Sequence, residues 1–532
     1  MTGKRIFFTL AVLIVITILQ SCKPYNFRSN YNNTNSLIHG TKASQVKPFL
    51  KAHLKNGDVC ILKDSWEIDT TLNIVSGDGI QYDYNRKPIY QGSISIPVDS
   101  VAIFETNTKI TKPEADRITV LGIMAGVDAV LGLVCLINPK ACFGSCPTFY
   151  INENDNFHYA DAEAFTNAIS PSMEYCDIDA INTLKISNNS FSITMKNEAL
   201  ETHCINDVKI LAYPLEKNQR VYQSPDSKFY LCENSYGLSL ASAKEGDVTS
   251  LLKNQDRKER YSLSDENNLN AKEEIYLTYN DVNNTENLGL ILNFRQTLMT
   301  TFLFYNAMGY MGDNVGDVFY YLETNEKMRN NFDSTTKELG GIECYVWNEK
   351  INNWEKQAGI DETGPIAINR QLIPLNHTQL NSTVKIKLVL NKGLWRLDYA
   401  SLTNIRNQVT PREFSPISIY NKDRFDHEAL AKINSEKSYL ISMPGSEYRF
   451  NFEIPGDNTD YDLFLCAKGY YLEWMRENWI GEKDLPKLKQ MVLNPQKYLR
   501  DEAKNYKQYE STMEQEFWNS KIDTKAFMYY EN

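Results

Sequence analysis

Histidine is scarce in this chain. Six in 532 residues leave little from which to build a His-based metal centre. His427-Glu428 opens like H-E-x-x-H, but Ala431 stands where the second His belongs, so a zincin is excluded on that motif. Gly237-Leu-Ser239-Leu-Ala241 lacks the second Gly of a nucleophile elbow. A Walker loop and a dinucleotide fingerprint are missing too. Positive charge is also short: 56 Lys and Arg against 67 Asp and Glu give a net charge of −11 with His neutral. Without a basic stripe interleaved with aromatics, nucleic acid is not an expected partner. There is no internal repeat of fixed period, and long apolar runs occur only at 6–19, which is uncharged, and at 118–137, where Asp128 is the only charge.

Aromatic residues are plentiful. With 7 Trp, 32 Tyr, 23 Phe and a hydrophobic share of 42%, the chain carries enough apolar surface for true cores. Its length implies several domains.

The N-terminus reads MTGKRIFFTLAVLIVITILQSCK. Lys4 and Arg5 precede an uncharged run from Ile6 to Leu19, and Leu19-Gln20-Ser21-Cys22 follows. This is the layout of a removed signal peptide, and the run falls short of the roughly 20 residues that span a bilayer. The stretch resembles the lipobox of bacterial lipoproteins. That resemblance implies that Cys22 becomes the mature N-terminus and carries a diacylglycerol thioether and an N-acyl chain, which together hold a membrane stably. Lys23-Pro24 follows where Asp would signal inner-membrane retention, so the outer membrane is the expected destination. No acidic run comes after Cys22, which favours the periplasmic side over the surface. Residues 22–45, rich in Asn and Ser, are expected to be a flexible tether. Residues 141–148 also resemble a C-x-G-x-C-P pattern of uncharacterised exported bacterial proteins, which carries no activity with it.

The body reads as mixed but mainly β, with two antiparallel sandwich-like domains. A small β module is expected over 46–110, with a hairpin turn at Gly77–Gly79. The apolar, Gly-containing segment 111–140 follows; its 118–137 core is read as buried rather than spanning, because Asp128 would sit near the bilayer centre. A first β domain is placed at 141–240. Charged linker and buried helix occupy 241–332, the helix starting near Asn293 and breaking near Gly309 and Gly312. A β-sandwich is expected at 333–465 and a helical tail at 466–532, where Asn494-Pro495 is an N-cap with Pro at the first helical position.

Chemistry-bearing groups are few. Cys142 and Cys146 in ACFGSCPTFY lack C-x-x-C spacing and a second pair for zinc, so a loop-closing disulfide is expected, with Cys135 and Cys176 as rival partners. The other cysteines read as small buried hydrophobes. Asp457, Asp460 and Asp462 form an acidic turn, a weak calcium candidate. Glu201 and His203 share a strand face by period-two alternation, expected to be solvent-facing. Glu473 and Glu477 would share a helix face. Trp347, Trp354 and Trp395 in the second β block are either core or stacking residues for sugar rings. The expected role is non-enzymatic: binding or scaffolding of an envelope partner, membrane-held through the N-terminal lipid. The alternative is a glycan-binding or polysaccharide-processing protein resting on those three tryptophans. No cofactor beyond the calcium candidate is implied.

Overall fold

The computed structural model describes residues 25–31, 34, 37–38, 50–54, 59–63, 65–82, 88–110, 147–153, 156–161, 164–165, 174–181, 190–199, 201–312, 339–361, 364–376, 382–435, 438–443, 445–455, 460–473 and 482–521. Cys22, the 118–137 segment, Cys142, Cys146, Asp457 and Glu477 lie outside the described residues. Several antiparallel sheets and a few helices make up the chain, so it is mainly β. Among the described residues no helix is long and apolar enough to cross a membrane. The chain divides into two compact units: 1–128 with 308–328 and 474–485, and the remainder.

The first unit holds a seven-stranded antiparallel sheet. Its core gathers Leu50, Ala52, Leu62, Trp66, Val75 and Phe104. Two expectations need correcting here. Tyr25–Tyr31, placed in the tether, is a strand paired along its length with Val101–Ile110. Aromatic residues at 25, 27 and 31 alternate with polar ones, a strand pattern that the Asn-rich composition around it obscures. Gly77–Gly79 is not a turn, because it lies inside the strand Ile74–Tyr82. Gly79 is there for close approach: a Cβ would come 2.2 Å from the Ile61 carbonyl oxygen. Gly79→Ala should therefore push the Val59–Leu62 and Ile74–Tyr82 strands apart at a cost of about 1–3 kcal/mol. A thermal scan reading no loss of Tm would refute that packing.

The second unit contains two sandwiches, nested rather than serial. One pairs a sheet of Tyr175–Ile181, Asp460–Glu473, Glu201–Leu215 and Arg412–Phe414, with Leu440–Ser442 on its flank, with a six-stranded sheet whose edges are Arg424–Phe425 and Asn156–Asp161 and whose middle holds Glu447–Glu453, Ser190–Lys196 and Thr148–Glu153. Their shared core includes Phe149, Ile193, Ile210, Phe450 and Leu465. The other sandwich lies entirely between Gln219 and Val409 in sequence. It is threaded between Glu201–Leu215 and Arg412–Phe414, which pair directly at Ile210↔Phe414. The expected boundaries at 240 and 333 thus cut both sandwiches. The cause is long-range pairing: Glu201–Leu215 runs antiparallel to Asp460–Glu473 from Glu201↔Glu473 to Leu215↔Asp460, and nothing local announces such a partner.

Other segments shift in the same way. Asp460–Glu473 carries strand well into the expected helical tail, so Glu473 ends a strand and does not sit on a helix. Asn293–Gln296 completes the wholly buried strand Leu288–Gln296, and the helix covers Met299–Met311 only. The tail does hold helices, Pro495–Asp501, Ala503–Tyr509 and Met513–Ser520 among them. The Asn494 side chain accepts from Lys497 N with Pro495 at the first position, as the sequence implied.

Candidate functional site

One sheet of the inner sandwich presents an aromatic face to solvent. Its strand order is Gly246–Asp247, Leu240–Ala243, Lys272–Tyr279, Val384–Asn391, Ile342–Asn348, Asn353–Ile360. Strict alternation sorts the side chains. Ile275, Leu277, Cys344, Val346, Ile386 and Leu388 are fully buried on the inner face. Glu274, Tyr276, Lys385, Lys387, Tyr345, Trp347 and Trp354 are left on the other, none of them fully buried.

Register brings these groups together. Trp347 and Trp354 are direct cross-strand partners, with ring centroids 5.3 Å apart at 67°. Tyr276 lies 5.8 Å from Trp354 by ring centroid and is 39% exposed. Lys387 stands directly opposite Tyr276 on one side and Tyr345 on the other. Its ammonium sits 4.9 Å from the Tyr345 centroid and 5.5 Å from that of Trp354, a cation–π arrangement. The rings are tilted rather than coplanar, so the face is an angled cluster whose rings offer edges and faces in several directions.

Two carboxylates pin the tyrosines. The Tyr276 hydroxyl donates to Glu274 Oε2, and the Tyr345 hydroxyl donates to Glu343 Oε2 at 2.7 Å. Glu274 is held below its ordinary 4.5, first by that tyrosine and then by Lys387 against some desolvation. Burial works against ionisation of Glu343, but hydrogen bonds from Lys356 and Tyr345 outweigh it and lower its pKa too. Burial and the Glu343 hydrogen bond push Tyr345 up to about 12. Both tyrosines stay neutral donors over ionised acceptors, which fixes their rings before any ligand arrives.

Of the three tryptophans read together in the sequence, two are neighbours in the sheet. Trp347 and Trp354 share the face, whereas Trp395 is only 1% exposed and packs edge-on against Phe294 at 5.7 Å. Trp395 begins the long strand Trp395–Val409, most of whose residues are buried on both sides, so its neighbours leave it no route to solvent. Sequence reading missed Tyr276, Tyr345 and Lys387. The signal was present as Glu-x-Tyr at 274–276 and again at 343–345, a spacing that sets carboxylate and phenol on one strand face.

The remaining candidates fall elsewhere. Asp460 and Asp462 open a strand instead of forming a turn. Asp462 accepts from Val221 N at 2.6 Å and faces Arg220 at 3.6 Å, and burial raises its pKa. No group of three or more His, Cys, Asp or Glu side chains gathers for a metal ion among the described residues. Glu201 and His203 do share a face, 3.2 Å apart, but both are fully buried rather than solvent-facing, because their strand is covered on both sides. Cys176, a rival partner in the sequence reading, is disulfide-bonded to Cys466. Cys60, Cys204, Cys232 and Cys344 are buried.

No family model matches the chain, and no curated protein matches it. Two solved structures share some likeness: BuGH86 wild type and its glutamate-to-glutamine variant, each in complex with neoagarooctaose. Each has a TM-score of 0.16 at 8% identity, covering 44% of this chain and 34% of the other. Similarity at that level fixes neither the fold nor the ligand of this chain.

Proposed function

We propose that this chain is a non-enzymatic binding protein of the cell envelope whose ligand is a carbohydrate. The supporting observation is the grouping of Tyr276, Tyr345, Trp347 and Trp354 on one solvent-facing sheet surface, interleaved with Lys387, Lys385 and Glu274. A pyranose ring has an apolar C–H face and an equatorial belt of hydroxyls. Aromatic rings receive the first, and ionised carboxylates and ammonium groups receive the second. The pinned tyrosines reduce the side-chain entropy lost on binding. The anchor expected at Cys22 would hold the face at a membrane surface, near the polysaccharides of an envelope.

Affinity electrophoresis of the mature chain through gels containing soluble β-glucan, xylan or galactomannan tests this reading. Migration should be retarded by at least one polymer. Trp354→Ala should weaken binding by at least about tenfold with Tm little changed. Retention should be constant through neutral pH. The carboxylates that pin the tyrosines have lowered pKa values, so the pinning is complete above 4.5 and is lost as pH falls through those lowered values. Failure of every polymer to retard the wild-type chain would overturn the proposal.

A further inference from the structure

Beside the aromatic face lies a groove of about 1250 Å³. Its walls come from the Leu240–Ala243 edge, the 261–266 segment and one end of Lys272–Tyr279. Glu274 and Tyr276 belong to both the groove and the face, so the two surfaces are continuous. Resting on the carbohydrate reading above, we infer that groove and face together hold an internal segment of a neutral polysaccharide.

Length is the first argument. The Trp354 and Tyr276 rings converge to 5.8 Å although their strands are three steps apart in the sheet, so the aromatic cluster alone is about one sugar ring wide. The groove adds to that span at the 240–247 edge. A monosaccharide would engage a fraction of it; a chain of several units would follow it.

Charge is the second. Much of the ionised lining is already committed within the protein. Glu245 and Glu273 bind Arg260, Lys272 donates to the Leu339 carbonyl at 2.6 Å, and Lys507 pairs with Glu510. Of the remaining lining charges, Glu274 is paired with Lys387, and Lys244 and Lys392 equal Asp265 and Glu266 in number. A polyanion would meet carboxylates and a polycation would meet ammonium groups, each at a cost. An uncharged polyhydroxyl chain can donate to one sign and accept from the other.

Apolar footing is the third. Tyr261 is 49% exposed and Leu263 58% exposed in the groove wall. The Arg396 guanidinium lies 4.4 Å from the Tyr261 ring centroid and steadies it, giving the groove a stacking element of its own.

Isothermal titration of the mature chain with cello-, xylo- and mannooligosaccharides from disaccharide to octasaccharide tests this, with alginate fragments of the same lengths as the anionic counterpart. For the wild type, affinity should rise at least about tenfold from the shortest to the longest neutral ligand. The Tyr261→Ala/Leu263→Ala double variant should lose that gain while keeping disaccharide affinity. Leu263→Arg, a change at an exposed site, should do the same by obstruction, and thermal scans would establish that both variants fold. A gain that persists in both variants while Trp354→Ala abolishes binding would sink the groove and leave the carbohydrate reading standing. Preference for alginate would overturn the neutral ligand class. Absence of binding to any of these sugars would overturn both proposals.

Discussion

Arg260→Met is expected to destabilise the inner sandwich by roughly 3–5 kcal/mol. Arg260 is 1% exposed, yet its guanidinium is fully employed. It makes a two-pronged pair with Glu273 at 2.7 Å for each contact, and reaches Glu245 at 2.9 and 2.7 Å. Ser262 Oγ donates to the same Glu273 carboxylate at 2.6 Å. Burial alone would lower the pKa of Arg260, but Glu273 and Glu245 outweigh it and raise it further, so the group is always charged. Removing it leaves Glu273, whose side chain is 6% exposed, without its counter-ion. The stranded carboxylate, more than the lost pair, is what costs stability.

A stranded charge and a lost pair give different outcomes. Arg260→Met/Glu273→Leu removes both charges and should recover most of the loss. Calorimetric scans of the wild type, the single variant and the double variant read the difference directly. A single variant as stable as the wild type would mean that water reaches Glu273 and that the site is not dry. The effect should extend to binding as well. Glu273 sits beside Glu274 on the strand that carries Tyr276, and Arg260 ties that strand to the 261–266 wall of the groove.

The sequence made some of this architecture legible and hid the rest for identifiable reasons. VKIKLVLN at 384–391 alternates so regularly that strand and buried face follow from it directly, and the structure agrees. Asn494-Pro495 worked because capping is decided within one helical turn. The Trp347–Trp354 pairing was within reach because the two strands form a tight hairpin. What failed was everything decided by distant neighbours. Trp395 looks like its two companions in sequence, and only the packing around its strand buries it. Glu201 and His203 were expected on a polar surface because their residue types suggest one. Their strand instead lies between Asp460–Glu473 and Leu440–Ser442, partners more than two hundred residues away. Tyr276 and Tyr345 went unnoticed because 276 and 345 become neighbours only through the intervening Val384–Asn391 strand. Period-two patterning tells which face a residue occupies, but not which strand lies beside it.

The second large effect follows from the same nesting. Removing the Cys176–Cys466 disulfide is expected to cost about 2–4 kcal/mol. The two cysteines are 290 residues apart in sequence, with Cα atoms separated by 6.0 Å, a distance that a disulfide spans without backbone movement. They lie on adjacent strands, where Ile178 faces Cys466 and Cys176 faces Lys468. The loop that the bond closes contains the entire inner sandwich. In the unfolded chain such a crosslink forbids a large set of open conformations; in the folded chain the sheet has already brought the strands together. The bond therefore acts by holding the outer sandwich closed around its insertion. Cys176→Ala/Cys466→Ala should lower Tm and become insensitive to reductant, whereas the wild type should fall toward the variant once its disulfide is reduced. Protein made in a reducing compartment should resemble the variant, and protein made in an oxidising one should not. Alkylation of both cysteines in unreduced protein made in an oxidising compartment, read by mass spectrometry, would remove the bond and with it this account of how the strands of the outer sandwich are kept together.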